Sequence, residues 1–351
     1  MSGDAMPIAD LQLPVRLLAG GGPCSLDPRV LRALTTPLIG QFDPDFTAVM
    51  DDVVQLGQLT FLTESPHCFA ISALASGGLE AVLNSVLESA ADTVAIAGSP
   101  AFVACTAEIA RRCGAQAVGA PTQAEARVVV APLIDPFSGA RLPVNDLAQT
   151  AHATGAMLIV DATQGLAATE LRVDEWGIDV CVAGVDHALG APSGMTLVTY
   201  QPEIHAKLQQ RTAPPRTSYL DLIQLRAYWS PERLNHHTAP TSLVYGLREA
   251  LRLVQLEGLP DRWLRHAMIA ETLRNGLRAL GLEPSGEPPH AFLDLPWEVD
   301  EPAAWKRLLE EFGVHVTRVA PRTWRLGLLG ADARPEAVHQ LLNALSRVLS
   351  G

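Results

Sequence analysis

Lysine is nearly absent from this sequence, whose 351 residues include two, Lys207 and Lys306. Almost all of the 26 basic residues are therefore arginines, and the 38 Asp and Glu residues outnumber them to give a formal net charge of -12. A surface of that sign repels polyphosphates, whose binding depends on basic side chains that replace counterions. We therefore do not expect nucleic acid to be a partner.

Long apolar runs and paired cysteines are missing as well. No uncharged apolar stretch reaches the roughly 18 residues that indicate a membrane-spanning helix, so no membrane partner is predicted. The N-terminus has no basic region followed by an apolar one, as a signal peptide would have. The five cysteines form no CxxC pair, which favours free thiols in a reducing compartment over disulfides or a zinc site. We predict a cytoplasmic protein.

Apolar residues are abundant, at 48%, and charged residues make up 18% of the chain, which is typical of a large buried core. Short runs rich in Val and Ile alternate with stretches of helical period, the pattern of crossover units around a parallel sheet. The predicted strands are 93–97, 127–131, 156–160, 178–184 and 195–200. The sequence therefore predicts an α/β fold with a mostly parallel sheet between helices.

The last third of the chain has a sparser alternation of elements. After a helix at 240–258, it is predicted to contain a helix at 262–280, a strand at 291–295, a helix at 301–312, two strands and a final helix from 334. The stretch 281–289, rich in Gly and Pro, is predicted to be a surface loop. We therefore divide the chain into an N-terminal segment (1–16), a large domain (17–257) and a smaller C-terminal α/β domain (258–351).

Four segments together resemble the class V aminotransferases, most closely the alanine-glyoxylate and serine-pyruvate branch. They are LLAGGGPCSLDPRVLRAL (17–34), VDATQGLAATELRVDEWGIDVCVAGVDHALGAPSGM (160–195), RLNHHTAPTSLVYGLREAL (233–251) and TWRLGLLGADA (323–333). The resemblance covers nearly the whole chain, and the order and spacing of the four segments are specific. The resemblance implies fold type I of the enzymes that use pyridoxal phosphate (PLP), and a homodimer whose site is built from both chains.

Several side chains match the cofactor and substrate site of that family. Asp161 closes a predicted strand, where ligands of parallel sheets bind, and the resemblance makes it the partner of the pyridine nitrogen. A strand-end Asp can also cap the next turn.

Arg325 lies in an apolar strand-like run, so its guanidinium needs a buried partner, either a substrate carboxylate, as the resemblance implies, or a structural acid. Gly21 and Gly22 complete the substrate pocket in the resemblance, and Phe102 is either the cofactor's stacking ring or a core residue.

The main departure from the family pattern is at position 187. In AGVDHALGAPSG the family has a lysine where this chain has His187, and that lysine holds the cofactor as a Schiff base and moves a proton. Histidine has no primary amine, and neither lysine of the chain is placed to substitute, so we predict no covalent PLP. His187 is then either a general base, assisted by Asp186 and Asp161, or a filler of a vacated pocket.

The positions that hold the cofactor phosphate have also changed. Leu74 stands where the family has a serine, Asp186 where it has a glutamine, and Asn235 where it has a tyrosine that crosses the dimer. An ionised Asp186 repels a phosphate dianion. We therefore favour loss of the cofactor over non-covalent PLP or pyridoxamine phosphate (PMP). The remnants of the cofactor site are Leu74, Ala75, Ser76, Phe102, Asp161, Asn235 and Thr238.

Three functions stay open from the sequence. We favour an enzyme that binds the carboxylate of a small amino or oxo acid through Arg325 and uses His187 in a reaction other than transamination. The alternatives are an enzyme with non-covalent PLP or PMP, and a non-catalytic pseudoenzyme or partner subunit. No metal is predicted at His236 and His237, because the family has the same His-His-Thr as structural residues.

Overall fold

The computed structural model describes residues 11–119 and 126–349. Most of the predicted N-terminal segment (1–10) and the last two residues of the predicted C-terminal domain lie outside this range. The strands are β1 (Leu17–Leu18), β2 (Cys68–Ile71), β3 (Thr93–Ile96), β4 (Gln116–Gly119), β5 (Val128–Pro132), β6 (Met157–Asp161), β7 (Val180–Gly184), β8 (Thr196–Tyr200), β9 (Ala291–Asp294), β10 (Val314–His315), β11 (Thr317–Ala320) and β12 (Thr323–Leu326). The helices are α1 (Pro28–Leu34), α2 (Pro44–Phe61), α3 (Ala75–Val86), α4 (Pro100–Arg112), α5 (Val144–Ala153), α6 (Pro202–Gln209), α7 (Leu222–Trp229), α8 (Thr241–Glu257), α9 (Leu259–Ala279), α10 (Glu301–Glu311) and α11 (Pro335–Leu349).

A seven-stranded sheet with the order β2-β8-β7-β6-β5-β3-β4 forms the centre of the fold. Strands β7, β6, β5, β3 and β4 are parallel, and β8 is antiparallel to both of its neighbours. The predicted α/β fold with a mostly parallel sheet is confirmed. The sequence-based prediction does not include β2 or β4, and β4 is only partly buried.

Helices flank this sheet and bury it. Helix α3 packs on β7 and β8, α5 on β5 and β6, and α4 on β3 and β4. Strands β5, β7 and β8 are buried along their whole length, as expected of strands covered by helices. One continuous hydrophobic core joins the sheet to these helices. The carboxyl ends of β6 and β7 therefore lie side by side at one edge of a rigid scaffold.

The C-terminal part forms a second hydrophobic core around a three-stranded antiparallel sheet, β11-β12-β9, with α9, α10 and α11. Strand β1 belongs to this part, because it pairs in parallel with β10 and because Leu17 and Ala19 are buried in the second core. Residues 17–19 therefore do not lie with the large domain, to which the sequence assigned them. A single strand of two residues carries no signal of its distant partner. The boundary between residues 257 and 258 stays a prediction.

Three further findings concern membrane-spanning helices, thiols and metal ligands. Among the described residues, no helix is long and apolar enough to span a membrane. All five cysteines fall in the described ranges and are free; Cys105 is exposed and the other four are buried. Within these same ranges, no group of three or more His, Cys, Asp and Glu side chains could hold a metal ion.

Candidate acid-binding site

The ends of β6 and β7 place Asp161 and His187 near each other. Asp161 is the last residue of β6, and the segment that carries His187 follows β7 directly. The Asp161 Oδ1 accepts a hydrogen bond of 2.9 Å from the backbone N–H of Thr163. Burial raises the pKa of Asp161, and the hydrogen bonds with Thr163 and the nearby His187 only partly offset this rise. The site therefore has a carboxyl group that is held near an imidazole.

His187 is fixed at both ring nitrogens. Its Nδ1 lies 3.0 Å from Asp186 Oδ1, and its Nε2 lies 3.2 Å from Gln164 Nε2. Burial alone would raise the pKa of Asp186, but the hydrogen bond and charge of His187 bring it below its usual value. With Nδ1–H donated to an ionised Asp186, Nε2 of a neutral ring accepts from the Gln164 amide. The two contacts hold the imidazole in one orientation.

Arg325, on β12, is buried without a counter-ion. Its side chain donates from Nε to the Gly20 carbonyl at 2.9 Å and from Nη1 to the Pro136 carbonyl at 3.1 Å. In the described parts of the chain, no Asp or Glu forms an ion pair with it. Burial lowers the pKa of Arg325 to about 10. Two carbonyls orient the guanidinium but leave its charge uncompensated, as expected of a site for an anion.

Gly21 lies beside Arg325, and the next residue, Gly22, lies beside His187. Gly21 has a φ of +74°, and a Cβ on it would lie 3.3 Å from Arg325 Nε. Gly22 has a φ of +117°, and a Cβ there would lie 2.0 Å from His187 Cδ2. Both residues must be glycine, because side chains at these two positions would be strained and would displace the functional groups. Arg325 and His187 therefore flank the same two residues.

His290 and Gln164 are parts of this cluster that the sequence does not reveal. His290 is 1% exposed, and a Cβ on Gly21 or Gly327 would lie 2.6 Å or 2.9 Å from its Nδ1. Burial, the charge of Arg325 and the nearby His187 hold the pKa of His290 well below its usual value, so the ring is neutral. The main chain of Gln164 lies near His290, but neither ring nitrogen makes a well-formed hydrogen bond to any described residue. The Gln164 amide oxygen is likewise buried without a described partner.

The end of the site that would receive a phosphate lies at the start of α3. Leu74 precedes this helix, is 56% exposed and makes no side-chain cap among the described residues, and Ser76 is exposed. A Cβ on Gly184 would lie 3.1 Å from Ala75 Cβ and 3.5 Å from Asp186 Oδ1. A helix N-terminus attracts anions, but here the ionised Asp186 already lies beside it.

The residues of this cluster include no primary amine with which PLP could form a Schiff base. The two lysines of the chain lie on α6 and α10, and Lys306 is largely exposed, 3.9 Å from Glu310. The roles of Asp161 at the pyridine end of a cofactor and of Asp186 beside its phosphate end stay predictions. Phe102 is 4% exposed and packs beside Gly98, at the start of α4. The role of Phe102 at a cofactor ring stays a prediction.

Asn235 and Thr238 lie apart from this cluster within one chain. Both are exposed, and Asn235 Oδ1 accepts a hydrogen bond of 3.2 Å from Gln41 Nε2. His236 Nε2 lies 3.1 Å from the Tyr219 carbonyl. The sequence-based expectation that this segment reaches a partner's site stays a prediction.

Asp135 fixes the backbone that orients Arg325. It is fully buried after β5, and its carboxylate accepts hydrogen bonds from Ser99 N (2.7 Å), Ser99 Oγ (2.9 Å), Phe137 N (2.9 Å) and Ser138 N (3.0 Å). The next residue, Pro136, supplies the carbonyl that accepts from Arg325. Burial works against the charged form, yet these hydrogen bonds bring the pKa of Asp135 below its usual value.

We expect Asp135→Asn to lower the free energy of unfolding by about 2 to 4 kcal/mol at pH 7, because an amide cannot accept all four hydrogen bonds. A lowered pKa in the folded state stabilises the protein above the unfolded pKa of about 3.9, and this stabilisation is lost as the pH falls through the folded pKa. Urea denaturation at pH 7 and pH 3 should therefore show a difference that shrinks at pH 3. The exposed Asp146 on α5 gives the control, Asp146→Asn, which should change stability little at either pH. An equal loss for Asp135→Asn at both pH values would contradict this account.

Comparison with known proteins places this architecture in one family. The aminotransferase class-V family matches residues 101–317. The (S)-ureidoglycine–glyoxylate transaminase of Bacillus subtilis is 32% identical over 97% of this chain and 92% of its own length. The alanine–glyoxylate aminotransferase of Felis catus is 30% identical over 97% and 89%. The crystal structure of an alanine–glyoxylate aminotransferase from Nostoc sp. superposes with a TM-score of 0.92 at 30% identity, and covers 98% of both chains. The fold type I predicted from the resemblance is confirmed, and the chain belongs to the class V aminotransferase family.

Proposed function

We propose that this protein binds the carboxylate of a small amino or oxo acid through Arg325 and acts on it with His187, without covalently held PLP and in a reaction other than transamination. The observation that carries the proposal is the guanidinium of Arg325, which is 7% exposed and has no acidic partner in the described ranges. Such a charge is costly until an anion reaches it. A carboxylate meets this need and matches the planar fork of the group.

The size of the ligand follows from the residues around Arg325. Gly21 and Gly22 line the space between Arg325 and His187, and the neutral His290 lies behind them. A ligand that touches both functional groups spans only a few bonds. The names of the two curated relatives include glyoxylate, a small oxo acid, and one includes alanine, a small amino acid. Glyoxylate and alanine are therefore the acids with which we propose to test this site.

The proton chemistry is assigned to His187. With Nδ1–H donated to Asp186, Nε2 is the atom that takes a proton from the ligand, after the Gln164 amide has moved aside. The developing imidazolium is stabilised by the ionised Asp186. Asp161, whose pKa burial raises, can hold or release a proton beside them. The site thus has a base in a fixed orientation and a second carboxyl group of different acidity.

Calorimetric titration with glyoxylate and with alanine tests the proposed function. We expect at least one of them to bind, and the matched neutral amide of the same acid to bind far more weakly, because the amide has no negative charge for Arg325. Equal affinities for acid and amide, or no binding of either acid at millimolar concentration, would refute carboxylate binding at Arg325.

Non-covalent use of PLP or PMP is the second candidate. Asp161 at the end of β6 and the backbone amides at the start of α3 favour it. Asp186, beside the same helix end, opposes it. An absorbance spectrum with and without added PLP distinguishes the two, since micromolar binding by the unmodified protein would make this second candidate the better one.

We also propose a homodimer, because an exposed apolar surface lies beside the segment that the family uses across its subunits. The contact between Gln41 and Asn235 brings together Leu38 (68% exposed), Phe42 (48%) and Leu234 (60%). Sedimentation at micromolar concentration should show a dimer, and Leu234→Glu should dissociate it. The control, Leu264→Glu, changes an equally exposed leucine (59%) on α9 and should stay dimeric. A wild-type monomer would contradict the proposal.

A further inference from the structure

A pocket of about 490 Å³ opens between α1, α8, α9 and the short 3-10 helix Gly330–Asp332. Its volume falls within the range of small-molecule sites. The described residues that line it include neither Arg325 nor His187, so it is separate from the acid-binding site.

Arginine dominates the polar lining of this pocket. The charged groups that line it are Arg29, Arg262, Arg265, Arg334, Asp27 and Glu257. Four guanidinium groups and two carboxylates leave a formal charge of two positive units. This local excess contrasts with the net charge of -12 of the whole chain. A concave surface of this sign concentrates anions.

The excess charge can be assigned to particular groups. Glu257 is shared by two arginines, with Oε2 at 2.6 Å from Arg262 Nη1 and Oε1 at 2.5 Å from Arg265 Nε. Asp27 neutralises the arginine of α1. Arg334 forms no ion pair with any residue in the described ranges. One charge of the shared pair therefore lacks an anion. The acid near Arg334 is the buried Asp332, whose pKa burial raises and the charge of Arg334 only partly lowers.

Arg262 is the buried member of this group. Its residue is 6% exposed, and its Nε has no hydrogen-bond partner among the residues that the structure describes. Burial lowers the pKa of Arg262, and an anion bound beside it would raise that pKa again. Its Nη1 donates to Glu257 and its Nη2 to the Ala188 carbonyl, so Arg262 gives the pocket wall a positive charge rather than a free donor.

The floor of the pocket is apolar. Val30, Leu189 and Ala250 line it and are each at most 2% exposed. We propose that the pocket binds a small organic phosphate, whose apolar body rests on this floor and whose phosphate is held by Arg334. The positive charge of the pair Arg262 and Arg265, whose donors are engaged by Glu257 and by backbone carbonyls, attracts the same phosphate. A phosphate of about two negative charges complements this local positive charge.

The occupant of the pocket touches the segment that carries His187. Leu189 and Gly190 line the pocket, and Arg262 Nη2 donates to the Ala188 carbonyl at 2.6 Å. The proposed phosphate site and the acid-binding site therefore adjoin the same stretch of backbone, residues 187–190.

Calorimetric titration of the full chain with phenyl phosphate tests this proposal. We expect the wild type to bind it, and Arg334→Gln to weaken binding by about tenfold through loss of one charge-assisted contact. Ala331→Trp should abolish binding, because Ala331 is exposed at the pocket and a large ring there closes it. The matched control is Arg347→Gln, which removes an exposed arginine from the far end of α11 and should bind as the wild type does.

Melting temperatures without ligand establish that the variants are folded, and both altered residues of the pocket are exposed. Arg325→Ala should keep its affinity for phenyl phosphate, which separates this site from the acid-binding site and this proposal from the proposed function. Absence of binding by the wild type, or unchanged binding by both Arg334→Gln and Ala331→Trp, would overturn the proposal. A loss in Arg347→Gln equal to that in Arg334→Gln would also overturn it.

Discussion

Replacing Arg325 with alanine should weaken the binding of a small carboxylic acid by about 30- to 1000-fold, or about 2 to 4 kcal/mol. The guanidinium lies beside Gly21, and no acid in the described ranges forms an ion pair with it. Removing it leaves a buried carboxylate without a charged partner, so the loss exceeds that of an ordinary hydrogen bond. Calorimetry with glyoxylate or alanine measures it.

Two further variants make this result specific to the geometry of the arginine. Arg325→Lys keeps the charge but cannot form two parallel hydrogen bonds, so we expect an intermediate loss. Arg141→Ala removes an exposed arginine that donates to the Glu170 carbonyl, and it should leave acid binding unchanged. Undiminished binding by Arg325→Ala would place the carboxylate elsewhere in the molecule.

Restoring the amine and the phosphate end of the site should restore a covalent cofactor. The wild type should show no Schiff-base absorbance with PLP, and borohydride should trap no cofactor, because histidine offers no primary amine. We expect His187→Lys alone to give weak absorbance, because the ionised Asp186 still lies beside the start of α3. Adding Asp186→Gln and Leu74→Ser should give a clear gain, measured by absorbance and by peptide mass spectrometry after reduction.

The controls for this series separate the amine from the phosphate end. Asp186→Gln with Leu74→Ser but with His187 kept should show no Schiff base at all. A reduced pyridoxyl group on Lys207 in any variant would contradict the prediction that this lysine cannot substitute for the missing amine. Equal absorbance for the single and the triple variant would show that Asp186 does not repel the phosphate.

His187→Ala tests the base itself: if it leaves any activity toward small acids unchanged, His187 is only a filler.

The sequence predicts those parts of the fold that depend on local pattern. Runs of Val and Ile mark β5 and β6 because strands covered on both faces have no polar positions to interrupt them. The burial of Arg325 is predicted because its neighbours in TWRLGLL are apolar. Asp186 and His187 are adjacent in the chain, so their pairing also needs no tertiary information.

The remaining parts depend on contacts between distant segments. Gln164 meets His187 across the ends of two strands, and His290 enters the site behind the Gly21 backbone from the end of a loop rich in Gly and Pro. Neither residue stands in a motif, and a lone histidine after Pro288-Pro289 carries no sign that it is buried. The pairing of β1 with β10 is missed for the same reason.

That pairing has a consequence for how the protein is made. Strand β1 leaves the ribosome early, yet its partner β10 is synthesised about 300 residues later, which takes on the order of tens of seconds at common elongation rates. The Gly21–Gly22 segment, which follows β1 in the chain, is not fixed in position until β1 has paired with β10. Nascent chains that end before β10 therefore cannot present the acid-binding site, even if their central sheet has already formed. Ligand capture by such stalled chains should begin only once the last four strands and α11 have emerged.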